Sequence, residues 1–135
     1  FKHHNPDIEI FTTEPEEWND QERSYASGTI QSAPTNASGL CDGLLTPEPG
    51  EIPFSINLAL GIQGLSCEEQ YIFDAMQLAK EAFAVELEPS GAIALANLIK
   101  HKDKFQKKNV FLTFSGGNVD PEVFNECLAK AKLGL

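Results

Sequence analysis

Residues 109–120 read NVFLTFSGGNVD. Residues 109–114 form a continuous β-prone run without clean alternation, which is typical of a strand covered on both faces in a parallel sheet. A Ser-Gly-Gly-Asn turn follows at 115–118, and Asp120 and Pro121 then provide the N-cap and first position of a helix. This order of strand, glycine-rich turn and capped helix predicts an α/β fold.

The turn at 115–118 is also a candidate binding site. In open α/β sheets, ligands bind beyond the carboxyl ends of the strands. Two glycines allow the backbone to approach a flat or anionic ligand closely, and Ser115 places a hydroxyl at the end of the strand. A tight structural turn without a ligand is the alternative that the residues alone leave open.

Upstream, Glu88-Pro89-Ser90-Gly91 joins two helical segments. Residues 91–99 are almost wholly apolar, so we expect their helix to be buried on nearly every side. Glu88 is held near the start of this apolar helix, where a carboxylate is either a paired structural group or part of a site. The spacing does not decide between these two interpretations.

The remaining segments extend the α/β pattern. Residues 8–13 are β-prone and bounded by prolines, which predicts a strand. Ser66 and Glu69 match a capping box at the start of a helix that runs to residue 83. Short helices are predicted over 16–27 and 54–60, and residues 28–53 are interpreted mainly as loop with a packed apolar island at 39–45. We therefore predict a three-layer α/β fold, with a mainly parallel sheet and helices on both faces.

Composition limits the function. The 135-residue chain has a formal net charge of −10, which argues against nucleic acid because phosphate binding needs clustered Lys and Arg. No run reaches the roughly 18 to 20 apolar residues of a membrane span, so we expect no membrane partner. Three widely spaced cysteines are typical of a reduced, cytoplasmic protein. A first residue that is not Met suggests a fragment, a cleaved product or a chain without its front.

Five motifs occur in an order that resembles the serine/threonine dehydratase and serine racemase family of pyridoxal-phosphate (PLP) enzymes. They are TEP at 13–15, DGL at 42–44, DAM at 74–76, EPSGA at 88–92 and SGGNVD at 115–120. The resemblance implies fold type II, the tryptophan-synthase-β-like fold, with residues 1–135 as part of its large domain. It also implies an amino-acid substrate and a homodimer. Cys41 departs from the alanine that is common in the family before Asp42.

The resemblance implies a PLP site. Ser115 would hydrogen-bond the pyridine nitrogen of the cofactor, and Glu88 would lie near the same edge of the ring. Gly43 would lie on the substrate side, and Gly116 and Asn118 belong to the turn that carries Ser115. Because a neutral hydroxyl does not hold the pyridine firmly protonated, the ring would be a moderate electron sink, which suits prompt loss of a β-hydroxyl.

A metal site is implied by the same resemblance. Family members that bind a divalent cation would use Glu14, the main-chain carbonyl of Trp18 and Asp20, and hard cations such as Mg²⁺, Mn²⁺ or Ca²⁺ favour such oxygen ligands. An acidic, solvated turn is the alternative.

We expect no catalytic residue in this chain. The Schiff-base lysine segment and the glycine-rich phosphate loop of the family are not found in it, and would lie in the missing N-terminal part with the small domain. The expected function of the complete protein is dehydration and deamination of serine- or threonine-like hydroxy amino acids to 2-oxo acids. An amino-acid racemase or a 3-hydroxyaspartate dehydratase of the same fold is an alternative, and a non-catalytic binding or assembly module is an alternative of another class.

Overall fold

The computed structural model describes residues 1–34 and 38–133. Seven helices and strands follow one another in these residues: β1 (Phe11–Pro15), α1 (Asp20–Ser27), α2 (Glu51–Ala59), β2 (Gln63–Cys67), α3 (Glu69–Phe83), α4 (Pro89–Lys100) and α5 (Pro121–Lys130). Short 3-10 turns lie at Glu16–Trp18, Asp42–Leu44 and Lys102–Phe105. In the same described ranges, no helix is both long and apolar enough to cross a bilayer.

The two strands form a parallel pair. Its register runs from Phe11 opposite Gln63 to Pro15 opposite Cys67. The segment between the strands contains α1 and α2, so the connection is the helical crossover that parallel strands need. The predicted parallel sheet is therefore present.

Helices cover both faces of this sheet. Side chains alternate between the faces of a strand, and in β2 the residues at 64 and 66 face α1, since a Cβ at Gly64 would meet Glu22 and the Ser66 hydroxyl donates to the Glu22 carboxylate. Cys67 faces the other way, where its sulfur accepts from the Asn97 side chain of α4. The layers are α1, sheet and α4, which confirms the predicted three-layer α/β class.

The core lies mainly between α3 and α4. The apolar stripe of α3 buries Ile72, Ala75 and Met76 completely, as its helical spacing predicts. Residues 89–93 and 95–97 of α4 are buried, which confirms the expectation of a helix covered on nearly every side. The apolar island also packs, because Cys41 is fully buried in this core.

Two predictions about where elements begin, for α3 and for the first strand, differ from the structure. Ser66 does not cap α3: it is the fourth residue of β2, Glu68 is the N-cap, and no side chain caps that helix. The strand expected over 8–13 lies at Phe11–Pro15 instead. Part of the loop predicted over 28–53 falls on residues 35–37, outside the described residues.

The strand predicted over residues 109–114 is also absent. Residues 108–120 carry neither helix nor strand in the structure. A strand is defined by hydrogen bonds to a neighbour, and in the described chain no other strand pairs with this segment. The prediction of a strand over residues 109–114 is therefore wrong for the described chain, because a β-prone run forms a strand only where a neighbouring strand pairs with it.

Candidate functional site

The turn that follows residue 114 packs directly on the first turn of α4. The Glu88 amide donates to the Gly116 carbonyl at 3.3 Å. A Cβ at Gly91 would collide with the Ser115 carbonyl, and a Cβ at Gly116 would collide with the Glu88 carboxylate. Gly116 also has a φ of +84°, in the left-handed region that favours glycine. The structure thus brings together Glu88, Ser115 and Gly116, which sequence analysis had placed in two separate motifs.

Gly43 reaches the same helix turn from a third segment. Its amide donates to the Ser90 hydroxyl at 3.1 Å and to Asp42 Oδ1 at 2.8 Å. Ser90 is buried and its hydroxyl donates in turn to Asp42 at 3.4 Å. This small network fixes the Asp42–Leu44 turn against the start of α4.

We call this cluster of Gly43, Glu88, Ser90, Ser115 and Gly116 the α4 site. Ser115 and Gly116 are exposed, so the Ser115 hydroxyl is open to a ligand. Within residues 1–34 and 38–133, no hydrogen bond engages that hydroxyl. The site therefore offers a neutral hydroxyl and a carboxylate around glycine backbone at a helix N-terminus, a set suited to an aromatic ring with a polar nitrogen.

Asn118, the remaining residue predicted to contact the cofactor, lies on the same loop. It is exposed, and no side-chain hydrogen bond ties it to another part of the described chain. Its contribution to the α4 site stays a prediction.

Sequence analysis missed three contributors to the α4 site. Ser90 and Asp42 hold Gly43, and Gly91 lets the 115–117 turn approach the helix. The signal was the Pro-Ser-Gly sequence after Glu88, because small residues in a first helical turn allow another backbone to come close.

The predicted metal ligands form a second cluster, the acidic turn, made of Glu14, Trp18 and Asp20. Glu14 accepts the amides of Gln21 at 3.1 Å and Glu22 at 3.0 Å. Burial raises the pKa of Glu14 to about 7, and the nearby charge of Asp20 adds to the rise. Burial also raises the pKa of Asp20.

The donor set of the acidic turn fits a cation only in part. Among the described residues, neither carboxylate forms a salt bridge. The two amides that Glu14 accepts offset only part of the cost of burying its charge, since its pKa is still raised. However, no group of three or more His, Cys, Asp or Glu side chains in those residues is arranged to hold a metal. An ion would need backbone carbonyls and water in addition to the two acids.

The cysteines supply no nucleophile. Cys41, Cys67 and Cys127 are free and buried. Burial raises the pKa of Cys41 and of Cys67 to about 12, so both thiols stay protonated at neutral pH and are unreactive.

Known proteins that are similar to this chain belong to the same group of PLP enzymes that its five motifs resemble. Residues 1–116 match the family model described as "Pyridoxal-phosphate dependent enzyme". A serine racemase from Dictyostelium discoideum is 39% identical over 119 residues, which cover 86% of this chain and 36% of the relative. An L-threo-3-hydroxyaspartate ammonia-lyase from Saccharomyces cerevisiae is 32% identical over 116 residues, which cover 86% of this chain and 35% of the relative.

The fold of this chain is also similar to that of a solved enzyme structure. The threonine deaminase of T.th. superimposes with a TM-score of 0.78 at 30% identity, over 88% of this chain and 43% of that chain. The chain therefore spans less than half of the length of each of these three proteins.

Proposed function

The chain belongs to the pyridoxal-phosphate dependent enzyme family, and from this we propose that it forms part of an ammonia-lyase that dehydrates and deaminates serine- or threonine-like hydroxy amino acids to 2-oxo acids. The observation that carries the proposal is the α4 site, where Ser115, Gly116 and Glu88 converge from two motifs. Relatives named as a threonine deaminase and a hydroxyaspartate ammonia-lyase support this reaction class.

In the proposed site, PLP supplies an electron sink for the substrate Cα when it is bound. The Ser115 hydroxyl would hydrogen-bond the ring nitrogen. Because a hydroxyl is neutral, it stabilises a protonated ring nitrogen much less than a carboxylate does. The moderate electron withdrawal that would result suits loss of the β-hydroxyl from the substrate.

The other residues position the ring and the substrate. Glu88 would lie near the edge of the ring, and Gly116, which has no Cβ, leaves the space that this carboxylate occupies. Gly43, whose amide donates to the Ser90 hydroxyl, would offer its backbone on the substrate side. Asn118 completes the turn.

We propose that the catalytic lysine comes from another part of the polypeptide. A lysine that acts as a base or forms a Schiff base needs a pocket that lowers its pKa. Every lysine in the described chain is exposed or half-buried. Lys80, Lys100 and Lys108 form salt bridges with glutamates outside the α4 site.

A racemase is the second candidate, because relatives of this chain carry the name serine racemase. The two activities share the removal of the α-proton and differ in what happens next. A racemase returns the proton to the opposite face, whereas a lyase expels the β-hydroxyl. Chiral analysis of the remaining serine, together with measurement of 2-oxo acid release, separates the two activities. Release of 2-oxo acid from 3-hydroxyaspartate tests the remaining alternative, a 3-hydroxyaspartate dehydratase.

The test uses the complete polypeptide loaded with PLP. We expect the absorbance band of lysine-bound PLP, and release of 2-oxo acid and ammonia from serine or threonine. Ser115→Ala should keep the fold but lose about 10- to 100-fold in kcat, and Ser115→Asp should shift the absorbance of the bound cofactor. Ser55→Ala on α2 is the matched control. A complete protein that binds no PLP would refute the proposal and favour a non-catalytic binding or assembly module.

We also propose that the acidic turn binds a divalent cation, Mg²⁺, Mn²⁺ or Ca²⁺, through Glu14, the Trp18 carbonyl and Asp20. The support is the pair of buried carboxylates without a salt bridge in the described chain. Each ion should raise the melting temperature of EDTA-treated complete protein, and Asp20→Asn should abolish the rise. Glu17→Gln, which removes an exposed carboxylate of the same turn, is the control. An equal rise in Asp20→Asn would place the ion elsewhere.

Two further proposals concern the oligomeric state and the cellular location of the protein. We propose a homodimer, which sedimentation of the complete polypeptide tests, and a cytoplasmic location, which three free cysteines favour.

A further inference from the structure

Two neighbouring residues in the first turn of α4 hold the two segments that form the α4 site. Ser90 bonds the Asp42–Leu44 turn through its hydroxyl. Gly91 lets the turn at 115–117 come close, because a Cβ at position 91 would meet the Ser115 carbonyl. The start of α4 is therefore a common support for both segments, and the position of each on this support determines the width of the site between them.

The Ser90 side chain is buried, and its hydroxyl forms a hydrogen-bonded triangle with the turn. It accepts from the Gly43 amide at 3.1 Å and donates to Asp42 Oδ1 at 3.4 Å. The same Asp42 oxygen accepts from the Gly43 amide at 2.8 Å. Because the Leu44 amide also donates to the Cys41 carbonyl at 2.9 Å, the peptide units on both sides of Gly43 are fixed.

Ser90 also limits how closely Gly43 can approach α4. A Cβ added at Gly43 would lie 3.2 Å from Ser90 Oγ and 3.4 Å from Ser90 Cβ, so this side of the glycine is closely packed. The hydrogen bond keeps Gly43 from moving away, and van der Waals contact keeps it from moving closer. Gly43 is nevertheless exposed, so its backbone is open to a ligand on the other side.

We propose that Ser90 is a positioning residue of the reaction, which sets the distance between Gly43 and the turn that carries Ser115. This role rests on the proposed function, in which Gly43 lies on the substrate side and Ser115 at the ring nitrogen. Because the Ser90 hydroxyl is buried and directs its proton to Asp42, Ser90 acts through Gly43 and not on the substrate. A site of fixed width holds the substrate Cα in one orientation to the cofactor, which loss of the α-proton requires.

The test is the Ser90→Ala variant of the complete polypeptide loaded with PLP. We expect kcat/KM for release of 2-oxo acid from serine or threonine to fall about 10-fold, the effect of one lost hydrogen bond. The visible circular dichroism of the bound PLP should also weaken, because that signal depends on rigid, asymmetric surroundings of the ring. Ser90→Thr keeps the hydroxyl and should restore most of both quantities.

Ser24→Ala is the matched control for a purely structural effect. Ser24 is fully buried on α1, and its hydroxyl accepts from the Gln31 amide at 2.8 Å and donates to the Gln31 carbonyl at 3.5 Å. Both variants should unfold at a lower urea concentration than the unaltered protein. Only Ser90→Ala should change kcat/KM and the circular dichroism, and equal changes in the two variants would overturn the proposal.

Asp42→Ala tests the same triangle from its exposed side, so this variant requires no change in the core. It removes an acceptor of both the Ser90 hydroxyl and the Gly43 amide, and we expect it to lower kcat/KM as well. In the double variant with Ser90→Ala the two losses should not multiply, because both side chains act on one amide. Unchanged kinetics in Asp42→Ala, or losses that multiply, would contradict the role of Ser90. Should Ser90→Ala fail to fold, the kinetics and circular dichroism of Asp42→Ala decide the question alone.

The unaltered protein separates the role of Ser90 from the proposed function. If it binds no PLP, or forms neither 2-oxo acid nor the opposite enantiomer of serine, the proposed function fails and this role fails with it. If it is active and Ser90→Ala keeps its kcat/KM and its circular dichroism, the proposed function stands and only the role of Ser90 is wrong.

Discussion

Two features of the structure require a glycine at position 116. Its φ of +84° strains any residue with a side chain, and an added Cβ would also meet the Glu88 carboxylate. We expect Gly116→Ala to lower the free energy of unfolding by about 2 to 4 kcal/mol, the sum of left-handed strain and steric displacement. Urea unfolding of the complete protein measures it.

Gly61 is the matched control for this substitution. It has a φ of +67°, and nothing lies within 4 Å of an added Cβ. Gly61→Ala should therefore cost about 1 kcal/mol, from strain alone. Equal losses in the two variants would mean that the Glu88 contact does not constrain Gly116, and the packing of the α4 site would need another explanation.

Glu14 should make stability depend on pH. Its pKa rises from 4.5 in the unfolded chain to about 7 in the folded protein, because the carboxyl group is buried. Between these values the folded state holds a proton that the unfolded chain releases. The contribution to stability is therefore full below pH 4.5 and is lost as the pH rises through 7.

We expect the urea midpoint of metal-free protein to fall from pH 5 to pH 8, and Glu14→Gln to flatten part of that fall. Glu17→Gln removes an exposed carboxylate nearby and should keep the full slope. Other titrating groups contribute equally to all three proteins, so the comparison isolates Glu14. An unchanged slope in Glu14→Gln would contradict the raised pKa.

The start of helix α5 is determined by its local sequence. Asp120 and Pro121 predicted its start, and the structure places the Asp120 carboxylate 2.8 Å from the Glu122 amide. Asp120→Ala should cost about 0.5 to 2 kcal/mol, because the first amides of the helix lose their acceptor. Thermal unfolding compared with Asp103→Ala, an exposed aspartate outside any α-helix, measures the cap. A loss no greater than in that control would mean that the cap does not stabilise α5.

Long-range partners explain where the elements were mispredicted. Ser66 has the local signature of a cap, yet its hydroxyl is engaged by Glu22, which is 44 residues away. Residues 109–114 have the local signature of a strand, yet no described segment pairs with them. The stripe of α3 and the buried α4 were predictable because their burial follows from their own periodicity.

The candidate site also has features that local sequence predicts and features that depend on long-range contacts. Ser115, Gly116 and Glu88 were identified by motif, but their convergence depends on the packing of the 115–117 turn against Gly91. The bridge from Ser90 to Gly43 spans 47 residues, and nothing local in the sequence indicates it. Motifs thus identified which residues to consider, and tertiary packing determined their geometry.

At the scale of the whole molecule, Asn97 joins the layers. It is fully buried on α4, and its amide nitrogen lies 3.4 Å from the Glu14 carbonyl of β1, 3.3 Å from the Cys67 sulfur of β2 and 3.1 Å from the Ile93 carbonyl. One side chain therefore contacts both strands and its own helix.

We expect Asn97→Ala to destabilise the complete protein by about 2 to 4 kcal/mol, because it leaves a cavity and removes the donor to buried acceptors. The loss should be accompanied by faster hydrogen exchange in both β1 and β2. Asn57→Ala is the matched control, since Asn57 is half-buried and its side chain donates to the Tyr25 hydroxyl, which joins only α2 to α1. That variant should lose about 1 kcal/mol and leave exchange in the strands unchanged. If Asn97→Ala behaved like Asn57→Ala, the sheet would be held to α4 by apolar packing alone.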